Sequence, residues 1–115
     1  MTLRTNGNNP KGILQKILEI QRGKGNFGIG QLTRVQADEL GRAFVGSDAV
    51  PIVRNGQQIG LRSSDSLRVF RFPAEKKSGQ AAGRVQANIE EFFVDAAGNK
   101  VKVRNAHIDI IPQEQ

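Results

Sequence analysis

The hydrophobic pattern of the chain changes period near its middle. Asn9-Pro10 reads as a helix start, with Asn as cap and proline in the first turn. Ile13, Leu14, Ile17 and Leu18 then recur at the spacing of one helix face, and Gly23 stops the run. Residues 23–30, G-K-G-N-F-G-I-G, are expected to form a tight turn held down by Phe27; a phosphate cradle assisted by Lys24 is the alternative. Thr33 and Gln36 make a capping box for a second helix, whose expected stripe is Val35, Leu40, Ala43 and Phe44 and whose stop is Gly46. From Ile52 onward the period falls to two. Ile52-Val53 and Ile59/Leu61 flank Asn55-Gly56, a strong hairpin signal. Ser63-Ser64-Asp65 turns the chain into a strand over 67–72, with Arg68 and Arg71 on opposite faces and Pro73 as its end. Residues 74–83 read as a mobile basic loop.

The last two periodic stretches, 84–94 and 101–111, are separated by D-A-A-G-N-K and predict a hairpin. Val85, Ala87 and Ile89 share one face, and Ala106, Ile108 and Ile110 share one face of the second strand. If Val94 stands opposite Val101, Asn88 falls opposite His107, Gln86 opposite Asp109, and Glu90 opposite Asn105. The expected fold is α+β: two N-terminal helices packed on one face of a twisted four- to five-stranded antiparallel sheet. Residues 1–9 are expected to be a flexible N-terminal segment and 10–115 a single domain.

Composition narrows the chemistry. With no cysteine and one histidine, thiolate catalysis is excluded and a histidine-cluster metal site is disfavoured. No nucleophile-elbow motif surrounds Ser63, Ser64 or Ser66, which argues against a serine triad. No apolar run is long enough to span a membrane, and no small-molecule cofactor motif is recognisable. The net charge of +6 points to a polyanionic partner, nucleic acid or an acidic protein. One imidazole among guanidiniums, amides and carboxylates suits metal-independent RNA cleavage, in which a 2′-OH attacks its own phosphate. On that reading His107 carries a proton, Arg68 and Arg84 act on the phosphate, and Asn88 orients the imidazole. Gln86, Asn105, Arg104, Ser64 and Lys24 are the expected substrate contacts. Glu90, Glu91, Asp109 or a serine hydroxyl is left as second proton carrier. The rival class is a non-catalytic module that binds nucleic acid or protein through the same basic surface.

Several short motifs in order, G-K-G-N-F-G-I-G, A-F-V-G, S-S-D-S-L-R-V-F-R-F-P, G-R-V-Q-A-N-I-E and N-A-H-I-D-I, span residues 23–110. Together they resemble C-terminal toxin domains of contact-dependent growth inhibition proteins and related polymorphic toxins. The resemblance implies a ribonuclease of the barnase–EndoU–colicin–RelE type, with transfer RNA as its substrate. It also implies secretion at the C-terminus of a larger cell-surface effector, action in a target cell's cytoplasm, and a cognate immunity protein. Against a basic toxin that immunity protein is expected to be acidic.

Overall fold

A computed structural model describes residues 10–112. The Asn9 cap and the 1–9 segment lie outside that range. In chain order the elements are α1 (Pro10–Arg22), β1 (Gly25–Leu32), α2 (Arg34–Val45), β2 (Val50–Arg54), β3 (Gln57–Arg62), β4 (Arg68–Glu75), β5 (Val85–Val94) and β6 (Lys100–Ile110). The strands make one six-stranded sheet in the order β1-β6-β5-β4-β3-β2.

The chain is α+β, but its layout corrects the expected one. The sheet has six strands and is mixed, because β1 pairs parallel to β6. The expected turn at 23–30 is largely this strand, which separates the two helices. Its glycines hid the alternation, yet Phe27 and Ile29 still turn into the core. The helices are not consecutive and pack differently: α2 lies on the sheet over β4, and α1 lies against α2 and β1. Ile20 of α1 and Leu40 and Phe44 of α2 meet Phe70, Ile89 and Ile108 in one core.

Both helical stripes are rotated from expectation. In α1 the inward residues are Ile13, Ile17 and Ile20, while Leu14 and Leu18 face outward. In α2 Ala37, Leu40, Gly41, Phe44 and Val45 are buried, and Val35 and Ala43 are exposed. Gly41 is the reason: a Cβ there would stand 2.3 Å from the Phe70 ring, so only glycine lets the helix sit on Phe70. The capping box forms as expected, with Gln36 N–H donating to Thr33 Oγ1 (3.1 Å) and Thr33 N–H to Gln36 Oε1 (3.0 Å).

Four register shifts adjust the sheet, and two of them change the expected strand layout. Pro73 does not end β4; the strand runs on to Glu75 through a register shift between Arg71 and Ala74, where a missing N–H is tolerated. In the β5–β6 hairpin, Asn88 pairs with His107, Gln86 with Asp109 and Glu90 with Asn105, as inferred. A shift beyond Glu91 puts Phe93, not Val94, opposite Val101. The Asn55-Gly56 turn has φ of +54° and +77°, the paired left-handed geometry of a tight hairpin. Among the described residues no helix is long and apolar enough to cross a membrane.

Candidate functional site

The face of the sheet away from α2 carries three cross-strand rows of side chains. Asn26, Asn105 and Glu90 form one, and Gly28, His107, Asn88 and Arg71 the next. Gln31, Asp109 and Gln86 form the third. Residues 76–84 close over one side of these rows. Lys76 N–H donates to Arg84 O (2.8 Å), Gly83 N–H to Lys76 O (2.9 Å) and Arg84 N–H to Ala81 O (2.9 Å). The expected loop is therefore a hydrogen-bonded wall. It encloses a cleft of about 700 Å³ with Lys76, Ser78 and Arg84 on the wall and His107 on the floor.

Asn88 is the centre of the network. The Lys76 ammonium can only donate, so its 2.7 Å contact fixes Asn88 Oδ1 as the acceptor. The Asn88 amide nitrogen then donates to Asn105 Oδ1 and to His107 Nδ1, each at 3.0 Å. Because Nδ1 accepts, the neutral imidazole bears its proton on Nε2. Protonating Nδ1 would put two donors face to face. Burial and the Lys76 charge hold the His107 imidazolium below its usual pKa, against the pull of Asp109 and Glu90.

The carboxylates are held by cations and amides. Gln86 Nε2 donates to Asp109 Oδ1 (2.7 Å), and Arg84 lies 3.7 Å from Asp109 Oδ2. Glu90 is buried, with Oε2 3.4 Å from Arg71 Nε and 3.2 Å from Lys102 Nζ. Its Oε1 is buried without a hydrogen-bond partner among the described residues. No three His, Cys, Asp or Glu side chains converge into a possible metal site among those residues.

Of the nine site residues expected from sequence, His107, Arg84, Asn88, Gln86 and Asn105 line the cleft. Four do not. Arg68 points to the helix face, where it caps Phe44 through its carbonyl (3.3 Å) and ring (5.4 Å). Arg104 donates to Gly23 O (3.1 Å) and to Glu91, which Arg68 also approaches at 3.7 Å. Glu91 is thus bound on that side too and leaves the list of second proton carriers. Lys24 is exposed in the α1–β1 connection. Ser64 is exposed in a turn built by its neighbours: Asp65 Oδ1 accepts from Ser63 Oγ (2.6 Å) and Leu67 N–H (2.9 Å).

Arg71, Lys76, Asn26 and Gly28 were not foreseen. Strand parity could have separated the arginines. Arg68 shares a face with Phe70, and Arg104 with Ala106 and Ile108, whereas Arg71 is directly opposite Asn88. Compared with known protein families, curated proteins and solved structures, the chain matches none.

Proposed function

We propose that the domain is a metal-independent ribonuclease and the toxic part of an antibacterial effector, with transfer RNA as its substrate. One observation carries this reading: His107, its Nδ1 turned to Asn88, lines a cleft that also holds Arg71, Lys76, Arg84 and Asp109. The set supplies what phosphodiester transesterification requires, a base, an acid and cations for the developing phosphorane. Asp109, the half-exposed carboxylate of the cleft, takes the proton of the 2′-OH. The 2′ oxygen attacks phosphorus, and the P–O5′ bond breaks. His107 gives a proton to the departing 5′ oxygen, leaving a 2′,3′-cyclic phosphate and a free 5′-OH.

His107 suits the acid role better than the base role. With Nδ1 turned to Asn88, Nε2 is protonated even in the neutral ring and cannot take the 2′-OH proton. The acid is the charged ring, and the Nδ1–H tautomer it leaves behind returns to the Nε2–H form by exchange with water. The lowered pKa makes the imidazolium a stronger acid, though a less populated one near neutrality. Arg71, Lys76 and Arg84 stand in for a metal ion at the phosphate. The motif resemblance supports delivery by a larger secreted effector into a neighbour's cytoplasm. The charge of +6 supports an acidic immunity protein that covers the His107 cleft.

The test is incubation of the purified domain with total RNA in excess chelator. Discrete fragments ending in 2′,3′-cyclic phosphate are expected, with activity declining as pH rises through a limb below 6.5. Binding without any cleavage would make the domain the non-catalytic module instead. Loss of cleavage in chelator, restored by magnesium, would replace the mechanism with a metal-dependent one.

A further inference from the structure

The cleft is chemically lopsided. Arg71, Lys76 and Arg84 lie on one side of His107, Asn26 and Gly28 of β1 lie on the other, and Asn105 stands two residues before His107 on β6. The second side has no formal charge and no side chain at its middle. Gly28 sits opposite His107 in the register, between Phe27 and Ile29, which turn into the core.

Gly28 has no conformational or packing reason to be glycine. Of the glycines from Gly23 to Gly98, seven have positive φ. At Gly23, Gly41 and Gly60 a Cβ would come within 2.5 Å of another atom. Gly28 has neither constraint: its backbone is outside the left-handed region, and the nearest atom to an added Cβ is His107 O at 3.9 Å. Glycine inside a strand weakens it and often marks the close approach of another molecule. The amides beside it also have spare capacity. Asn105 spends its oxygen on Asn88, and neither its amide nitrogen nor the Asn26 side chain is hydrogen-bonded among the described residues.

We infer that the bare backbone of Gly28, flanked by Asn26 and Asn105, is the floor of a nucleobase subsite beside His107. A planar heteroaromatic ring lies flat on the exposed peptide, and its polar edge meets amides that can both donate and accept. The attached phosphate then reaches across His107 toward Arg71, Lys76 and Arg84. This assignment rests on the ribonuclease reading and names the part of the substrate that sets its register.

The experiment measures binding of the four nucleoside 3′-monophosphates and of ribose 5-phosphate to the intact domain, by calorimetry. The same titrations are run on Gly28→Val, Gly28→Ala and Asn26→Ala. At least one nucleotide should bind more tightly than the sugar phosphate. Gly28→Val should fold with an equal or higher Tm and weaken that nucleotide about tenfold or more, the size of one lost base contact. Ribose 5-phosphate should bind all proteins alike, Gly28→Ala should be intermediate, and Asn26→Ala should change the order of preference among bases. Nucleotides no tighter than ribose 5-phosphate, or a folded Gly28→Val with unchanged affinity, would overturn the subsite. If Gly28→Val does not fold, the Gly28→Ala titration decides in the same way. Nucleotide binding that Gly28→Val abolishes, without RNA cleavage by the unaltered domain, would end the ribonuclease reading and leave the subsite standing. RNA cleavage with an unchanged KM in Gly28→Val would do the reverse.

Discussion

The two faces of β5 are buried almost equally and differ in what covers them. Ile89 on the helix face is 0 % exposed, and Glu90 on the cleft face is 4 % exposed. Ile89 and its neighbours are covered by side chains from the helices. Asn88 and Glu90 are covered by polar partners: Lys76, Asn105 and His107 bond to Asn88, and Arg71 and Lys102 bond to Glu90 Oε2. Burial alone therefore does not separate core from site. The distinction lies in whether a side chain's loss leaves a void or leaves unpaired polar groups.

Phe70→Ala should give the largest effect. Phe70 is fully buried beneath Gly41, and its truncation should cost about 3–5 kcal/mol, a large part of a small domain's stability. Urea denaturation would measure it, and a loss under about 1 kcal/mol would mean that the helix layer packs loosely.

On the other face, His107→Ala should lower RNA cleavage by about 10²–10⁴-fold while costing only about 1 kcal/mol of stability, because buried Asn88 loses one of its two acceptors. A folded variant with full activity would move the chemistry out of the cleft.

The two arginines of β4 offer the sharpest contrast, because they sit three residues apart on opposite faces. Arg71→Ala should reduce cleavage by about a hundredfold, as loss of a donor to developing charge does. Arg68→Ala should leave cleavage within about twofold and cost only about 0.5–1 kcal/mol of stability, from its contact with the Phe44 ring. Equal losses of activity would break the proposed division of labour.

The smallest effect concerns pH. The folded His107 pKa lies below the 6.5 of an unperturbed imidazole, so the unfolded chain binds a proton more readily. Its contribution to stability is complete above pH 6.5 and is lost as pH falls through the lowered value. The Tm of the unaltered domain should drop more between pH 7.5 and 5 than that of His107→Gln. Parallel curves would mean that burial and the Lys76 charge do not depress the His107 pKa.

Much of the site was legible because a hairpin writes its geometry in a local code. Period-two alternation in β5 and β6 was enough to pair Asn88 with His107 and Gln86 with Asp109. The same alternation also put Arg68 and Arg104 with apolar neighbours, although their charge made them look like phosphate ligands. What the chain could not show locally was β1. Its side-chain pattern is interrupted by glycines, and its partner Arg104–Ile110 lies far along the sequence. Lys76 was obscure for a related reason: its position depends on the closure of residues 76–84, which carry no hydrophobic period.

The position of β6 also has a consequence for assembly. β1 is made early but has β6 as its only sheet neighbour among the described residues, and β5 is flanked by β4 and β6. Until residues 100–110 arrive, a growing chain can build the β2–β5 meander while β1 waits for its partner. The strand that completes the sheet is also the one that carries His107, so closure of the sheet and assembly of the cleft come in a single step. A non-local parallel pairing of this kind pays loop-closure entropy before it is rewarded, which predicts slow folding. With the imidazole on β6, no form that lacks this strand has an assembled cleft.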